Sequence, residues 1–359
     1  MPIDTLWYTR CPAPTAASVA IREGWIAAEF EADGIAVRSL ASAKSADVHL
    51  SHYTHSQPNS FRFGGYVPPL VSASRGADIK VLGLAWPDRA AAVLALPESG
   101  IRTPADLRGA RFSVPKRMRD TVDWWRALVL SGYHSALEVA QLREADVRRV
   151  DIEIERPYVE DANVGNSAGQ SLWGARSQFA VQREEVKALL RGEVDVIYSD
   201  AAMGALLKAF LGLVPVVDLF APEESGHVEM AQPLMLTASA SLIAERPDLV
   251  ERWLACLLEA GPWASSNESR VMQIVANDTG IPEEFVTSAY SPRIHRQLDV
   301  SLSPLRVALL RAKHDELLAG GFLARPLDLN ALIDAEPLQR AHARCLGGAS
   351  HATSPADSK

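Results

Sequence analysis

Short apolar runs alternate with longer amphipathic stretches through the first two-thirds of the chain. Residues 5–9 read as a strand, 15–32 as a helix, and 35–40 and 47–51 as two strands. Residues 79–86 and 91–97 read as two further strands, the second apolar on both faces. Continuously apolar strands separated by helical patterns predict a sheet covered on both sides. At Glu98-Ser99-Gly100 the pattern breaks. Thr103 then stands as a helix cap ahead of Pro104, an ordered way to start a new series. That series predicts strands at 111–115, 150–154, 194–199 and 214–219, with helices around Trp124-Trp125, 183–190 and 201–211. From Ser239 onward the chain reads as mostly helical, with amphipathic helices at 247–259 and 304–319.

The two series predict an α/β protein of two lobes with a ligand cleft between them. Lobe I takes residues 1–98 and 217–346, including a helical C-terminal extension, and lobe II takes 99–216. The small, polar stretch 347–359 is expected to be a disordered tail. Clefts at domain junctions and at the carboxyl ends of strands are common ligand sites.

Composition narrows the partners. The 359 residues carry a net charge of −8 without a basic cluster, which disfavours nucleic acid. No apolar run reaches the roughly 18 residues of a membrane span. The three cysteines, Cys11, Cys256 and Cys345, are odd in number and far apart. A disulfide framework is therefore not expected, and a reducing cytoplasm suits the chain, which opens without a secretory-type segment. Cys256 lies in an apolar helical pattern and reads as a packed core thiol. A monomer is the expected state.

The chemistry concentrates near the start. Cys11 follows the first predicted strand and precedes Pro12 and Pro14, which stiffen the turn. Thr15 can cap the next helix, whose positive end favours an ionised thiol. The competing reading of Cys11 is a small buried hydrophobe. His49, His52 and His55 recur every third residue. On a strand that spacing sends neighbours to opposite faces, which disfavours a shared metal. Arg62 precedes Phe63-Gly64-Gly65. Its planar fork matches an oxyanion, and glycines can turn their amides toward one. A solvated arginine in a surface turn would look the same. No dinucleotide fingerprint, phosphate loop or metal cluster is present in the sequence, so no cofactor is expected.

The layout resembles the type II periplasmic-binding-protein fold. Two motifs resemble one enzyme family on that fold, the 2'-hydroxybiphenyl-2-sulfinate desulfinases. Tyr8, Cys11, Pro12 and Pro14 form the first motif. His52, Tyr53, Thr54, Gln57, Pro58, Arg62, Phe63, Gly64 and Gly65 form the second. The resemblance implies catalytic roles for Cys11, His52 and Arg62. It also implies that Gly65, Gly64, Thr9, Gln57, His55 and Tyr53 border a small-molecule aryl sulfinate. The family's Tyr-Asp pair is His55-Ser56 here, and its serine two residues before the cysteine is Thr9. The implied reaction takes an aryl sulfinate and water to the arene and sulfite without a cofactor, with Cys11 as proton donor or nucleophile. Trp25, Trp86, Trp124, Trp125 and Trp173 are candidates for the aryl pocket, or for the core.

Two other functions fit the fold. One is a non-catalytic binding protein for an aromatic sulfonate or sulfinate. The other is an enzyme of the pyrimidine-precursor synthase type, which would need histidine, iron and a cysteine-rich motif that this sequence lacks.

Overall fold

The computed structural model describes residues 3–161, 180–228 and 230–347. The expected tail lies outside the described residues apart from Gly347, and so does Trp173. Two five-stranded sheets form the frame. The first runs in the order β2-β1-β3-β10-β4, with β1 Thr5–Arg10, β2 Ala36–Ser39, β3 Ser60–Gly65, β4 Ile79–Ala85 and β10 Leu234–Ser239. The second runs β7-β6-β8-β5-β9, with β5 Ala91–Ala95, β6 Arg111–Arg117, β7 Arg148–Ile154, β8 Val196–Asp200 and β9 Val214–Asp218.

Each sheet is parallel at one end and receives antiparallel pairing from a strand that enters after a chain crossing. β5 enters the second sheet between β8 and β9, antiparallel to both. β10 returns to the first sheet between β3 and β4, again antiparallel to both. The lobe boundaries drawn at 98 and 217 therefore move. The first crossing spans residues 86–90 and the second 219–233, because β5 and the whole of β9 pair in the second sheet. The apolar run 91–97 carries no mark of which sheet it joins; its ladder to β8 decides that.

Local chemistry explains most element ends. The helix expected at 15–32 is two helices, Ala16–Arg22 and Trp25–Glu31, split at Gly24 with φ of 78°. Left-handed backbone of that kind is cheap only for glycine. Thr15 caps the first of them by accepting from the Ser18 N–H at 3.2 Å. Residues 47–51 form no strand; they belong to the helix Ala46–Thr54. Val48 and Leu50 imitate a period of two, yet the helix turns its polar His49, Ser51 and His52 inward. The helix ends at Thr54, and His55 caps it in left-handed backbone with φ of 56°.

Apolar side chains from β1, β3 and β10 meet the long helix Pro247–Ser266 under the first sheet. Phe61 stacks on Trp253 with centroids 4.3 Å apart and planes 6° off parallel. A second apolar cluster joins both lobes: Val81, Leu84 and Met235 share it with Val93, Phe112 and Tyr133. The charged exception is a buried knot. Arg10 and Asp278 are each 1% exposed; Arg10 Nη2 donates to Asp278 Oδ1 at 2.8 Å, and Arg22 reaches the same oxygen at 2.7 Å. It ties the end of β1 to the helix Glu268–Thr279. No described helix is long and apolar enough to cross a membrane.

Candidate active site

Strand register assembles the thiol corner. β1 and β3 are parallel, and Thr9 lies directly beside Arg62. Two residues further along, on the same face of a pleated sheet, stand Cys11 and Gly64. The Cys11 N–H donates to Phe63 O at 3.1 Å and extends the ladder past Arg10. Absence of a side chain at Gly64 is required there: a Cβ would stand 2.3 Å from Cys11 Sγ.

His52 comes from the helix Ala46–Thr54 and is 2% exposed. Its Nδ1 pairs with Thr9 Oγ1 at 2.7 Å, and its Nε2 faces Cys11 Sγ at 3.8 Å. Arg62 donates through Nε to His52 O at 3.0 Å and through Nη1 to Gly65 O at 2.9 Å. Its Nη2 points to Cys11 Sγ at 3.7 Å. The two carbonyls fix the guanidinium plane, and the thiol is thereby flanked by an imidazole and a cation.

Burial first, then the charge of Arg62 and the neighbouring His55, pushes the His52 imidazole well below its usual range. Unfolded, that ring takes a proton near pH 6.5; folded, it resists until much lower pH. Below about pH 6.5 the unfolded chain therefore binds more protons, so stability is fully present above that value and falls as the medium becomes more acid. His52 accounts for up to about 1.4 kcal/mol per pH unit of that fall. His52→Gln is expected to flatten the decline between about pH 6.5 and 5 by this amount. Urea titrations at several pH values measure it; equal slopes in the two proteins would refute it.

The three groups open onto one cavity. Cys11, His52, Arg62, Gly65 and Tyr53 line it. Trp124 and Trp125 form part of its aromatic wall, joined by Leu128, Val181 and Met203. The other candidate tryptophans are elsewhere. Trp25 packs edge-on against Trp263 at 5.5 Å, and Trp86 donates to Ala221 O at 3.0 Å.

Several residues expected at the site support it from behind. Thr9 touches the cavity only through His52. Gly64 makes room for the thiol. Gln57 closes the turn after the helix, its N–H donating to Ser51 Oγ at 2.8 Å, and its side chain does not line the cavity. His55 is also outside; its Nδ1 lies 3.3 Å from Tyr53 O, and it borders a small void behind Arg62. Left-handed backbone at His55 turns it away from His52. His49 pairs through Nε2 with Ala43 O at 2.8 Å, so the three imidazoles serve three places. Among the described residues no group of three or more His, Cys, Asp or Glu could hold a metal. Sequence reasoning missed Arg89, Asp200, Gln182 and Tyr290, which also line the cavity. Asp200 had one visible signal, a carboxylate one residue beyond Ser199 at the end of an apolar strand and directly before a helix.

No family model matches the sequence. Whole-chain comparisons do. The chain is 28% identical over 346 residues to the 2'-hydroxybiphenyl-2-sulfinate desulfinase of Rhodococcus erythropolis, covering 91% of this chain and 90% of that one. It superposes on a crystal structure of a Cys-to-Ser mutant of DSZB in complex with biphenyl-2-sulfinic acid. The TM-score is 0.77 at 28% identity, over 96% of this chain and 100% of that one. The periplasmic aliphatic sulphonate-binding protein SsuA of Escherichia coli shares the fold at 15% identity, with a TM-score of 0.63 over 93% of this chain and 92% of that one. From the paired cysteine and arginine motifs outward to both sheets, the chain is similar to the 2'-hydroxybiphenyl-2-sulfinate desulfinases along nearly its whole length, on the two-lobed α/β fold that these enzymes share with periplasmic sulfonate-binding proteins.

Proposed function

We propose that the protein is an aryl sulfinate desulfinase that converts 2'-hydroxybiphenyl-2-sulfinate, or a close analogue, and water into the arene and sulfite. The observation that carries this reading is the thiol corner itself: Cys11 Sγ lies 3.8 Å from His52 Nε2 and 3.7 Å from Arg62 Nη2 on the wall of an aromatic cavity. Its support is the similarity to the desulfinase over 91% of the chain.

In this reading the Arg62 guanidinium, already held flat by two carbonyls, turns its remaining N–H groups to the sulfinate oxygens. The Gly65 N–H adds a donor. A fixed donor in a water-poor site is worth roughly 3–4 kcal/mol in the transition state. The Cys11 S–H then gives its proton to the ring carbon bearing sulfur. The carbon–sulfur bond breaks with its electron pair passing to that carbon's new C–H bond. Sulfur dioxide leaves and is hydrated to sulfite, and the proton released in hydration restores the thiol. His52 orients the thiol through Nε2 while Thr9 fixes the ring through Nδ1.

The covalent route forms a Cys11 S–S bond to the substrate sulfur as the carbon–sulfur bond breaks, the thiol proton passing to the departing ring carbon; water later cleaves the S–S bond, releasing bisulfite and restoring the thiol. Burial keeps His52 uncharged, so it is not an imidazolium acid, and this reading takes the Cys11 thiol as the proton donor.

The test is sulfite release from purified protein mixed with 2'-hydroxybiphenyl-2-sulfinate. Stoichiometric sulfite and 2-hydroxybiphenyl are expected. Tight binding without either product would make this a binding protein instead.

A further inference from the structure

The cavity holds a second polar group that the reaction above leaves unused. Arg89 comes from the first chain crossing, and Asp200 ends β8. Arg89 Nη2 donates to Asp200 Oδ2 at 2.7 Å. The Tyr198 hydroxyl donates to the same oxygen at 3.2 Å and accepts from Gln232 Nε2 at 2.8 Å. Among the described residues these bonds converge on Oδ2 and leave Oδ1 as an acceptor. Both side chains line the cavity that holds Cys11, with exposures of 22% and 8%.

Two further features mark the pair as more than a surface salt bridge. Arg89 Nε is buried and has no hydrogen-bond partner among the described residues. A buried donor in that state is costly unless a ligand or water takes it. The next residue after Asp200 is Ala201, whose φ is +44°. Alanine pays for left-handed backbone, and such strain persists where surrounding structure enforces it. Here the Ala201 N–H donates to Ala90 O at 2.6 Å, which pins the end of β8 to the crossing and sets Asp200 beside Arg89.

The chemistry of the pair selects its ligand. A second anion would be repelled by Asp200, and a cation by Arg89. A neutral hydroxyl satisfies both, since its O–H donates to the carboxylate and its oxygen accepts from Arg89 Nε. The wall nearby supplies Trp125, Met203 and Tyr290, surfaces suited to an aromatic ring. We propose that Arg89 and Asp200 form the subsite for a phenolic hydroxyl on the ring distal to the sulfinate. The proposal rests on the desulfinase reading and adds to it the basis for choosing hydroxylated substrates.

The experiment compares kcat/KM for 2'-hydroxybiphenyl-2-sulfinate and biphenyl-2-sulfinate. A site that bonds a hydroxyl rejects the analogue lacking one, and the worth of one hydrogen bond to a charged group sets the expected wild-type ratio at about 10–100. Asp200→Ala should collapse that ratio to within about threefold of unity. The double variant Arg89→Met/Asp200→Leu, which removes both charges while filling the space, should do the same. A wild-type ratio near unity, or an unchanged ratio in both variants, would overturn the proposal. If neither compound releases sulfite, the desulfinase reading fails. Calorimetry of the two compounds with unmodified protein then decides the subsite on its own: affinity about tenfold or more tighter for the hydroxylated one supports it, and equal affinities overturn it.

Discussion

Cys11→Ser is expected to lower sulfite release by at least about a hundredfold while leaving aryl sulfinate binding in place. Serine keeps the shape but is a far weaker acid and nucleophile than a thiol. Loss of a general acid costs about 10²–10⁴ in rate, whereas loss of a nucleophile costs up to about 10⁶. Binding persists because the Arg62 anchors, His52 O and Gly65 O, do not involve Cys11. Single-turnover kinetics measures the first effect and calorimetry the second. A residual rate within tenfold of wild type would remove Cys11 from the chemistry. The depth of the loss also bears on the route. A drop near the upper figure, with a Cys11 peptide heavier by one SO₂ in the wild-type enzyme under turnover, would favour the covalent path.

Asp278→Ala is expected to destabilise the protein by about 3–5 kcal/mol, the usual cost of stranding a buried charge. Arg10 loses both bonds to this carboxylate at a position only 1% exposed, and Arg22 loses its partner as well. Arg22 is 27% exposed and can turn to water, but Arg10 cannot. Replacing the buried pair together, as Arg10→Met/Asp278→Leu, should cost far less, since no uncompensated charge remains. Urea denaturation of the single and double variants completes the cycle. Similar losses for both would show that packing volume, not charge, holds this corner. Because Arg10 immediately precedes Cys11, the single variant should also lose activity before it unfolds.

Much of this architecture was legible in the order of residues. Apolar runs at 79–86 and 194–199 mark strands because those strands are covered on both faces. Helices at 183–190 and 304–319 carry their own punctuation, and both occur with those limits. The thiol corner was legible as two short motifs: the first follows the end of β1, and the second runs from the end of the helix Ala46–Thr54 through β3. What distance in the chain conceals was harder to see. Arg89 and Asp200 are 111 positions apart and meet only because β5 pairs with β8. The first crossing was expected at 98, not at 86–90, for the same reason. Helix Ala46–Thr54 hid because its buried face is polar. Hydrophobic periodicity cannot report a surface whose inward groups are imidazoles and hydroxyls serving a site.

Gly64 has a consequence beyond this chain. Its missing side chain is the space in which the sulfur sits. In this backbone arrangement a thiol at position 11 and a side chain at position 64 compete for the same space. In collections of uncharacterised sequences, a cysteine after the first strand paired with alanine or anything larger at this second position is expected to mark a protein that captures sulfur oxyanions without cleaving them.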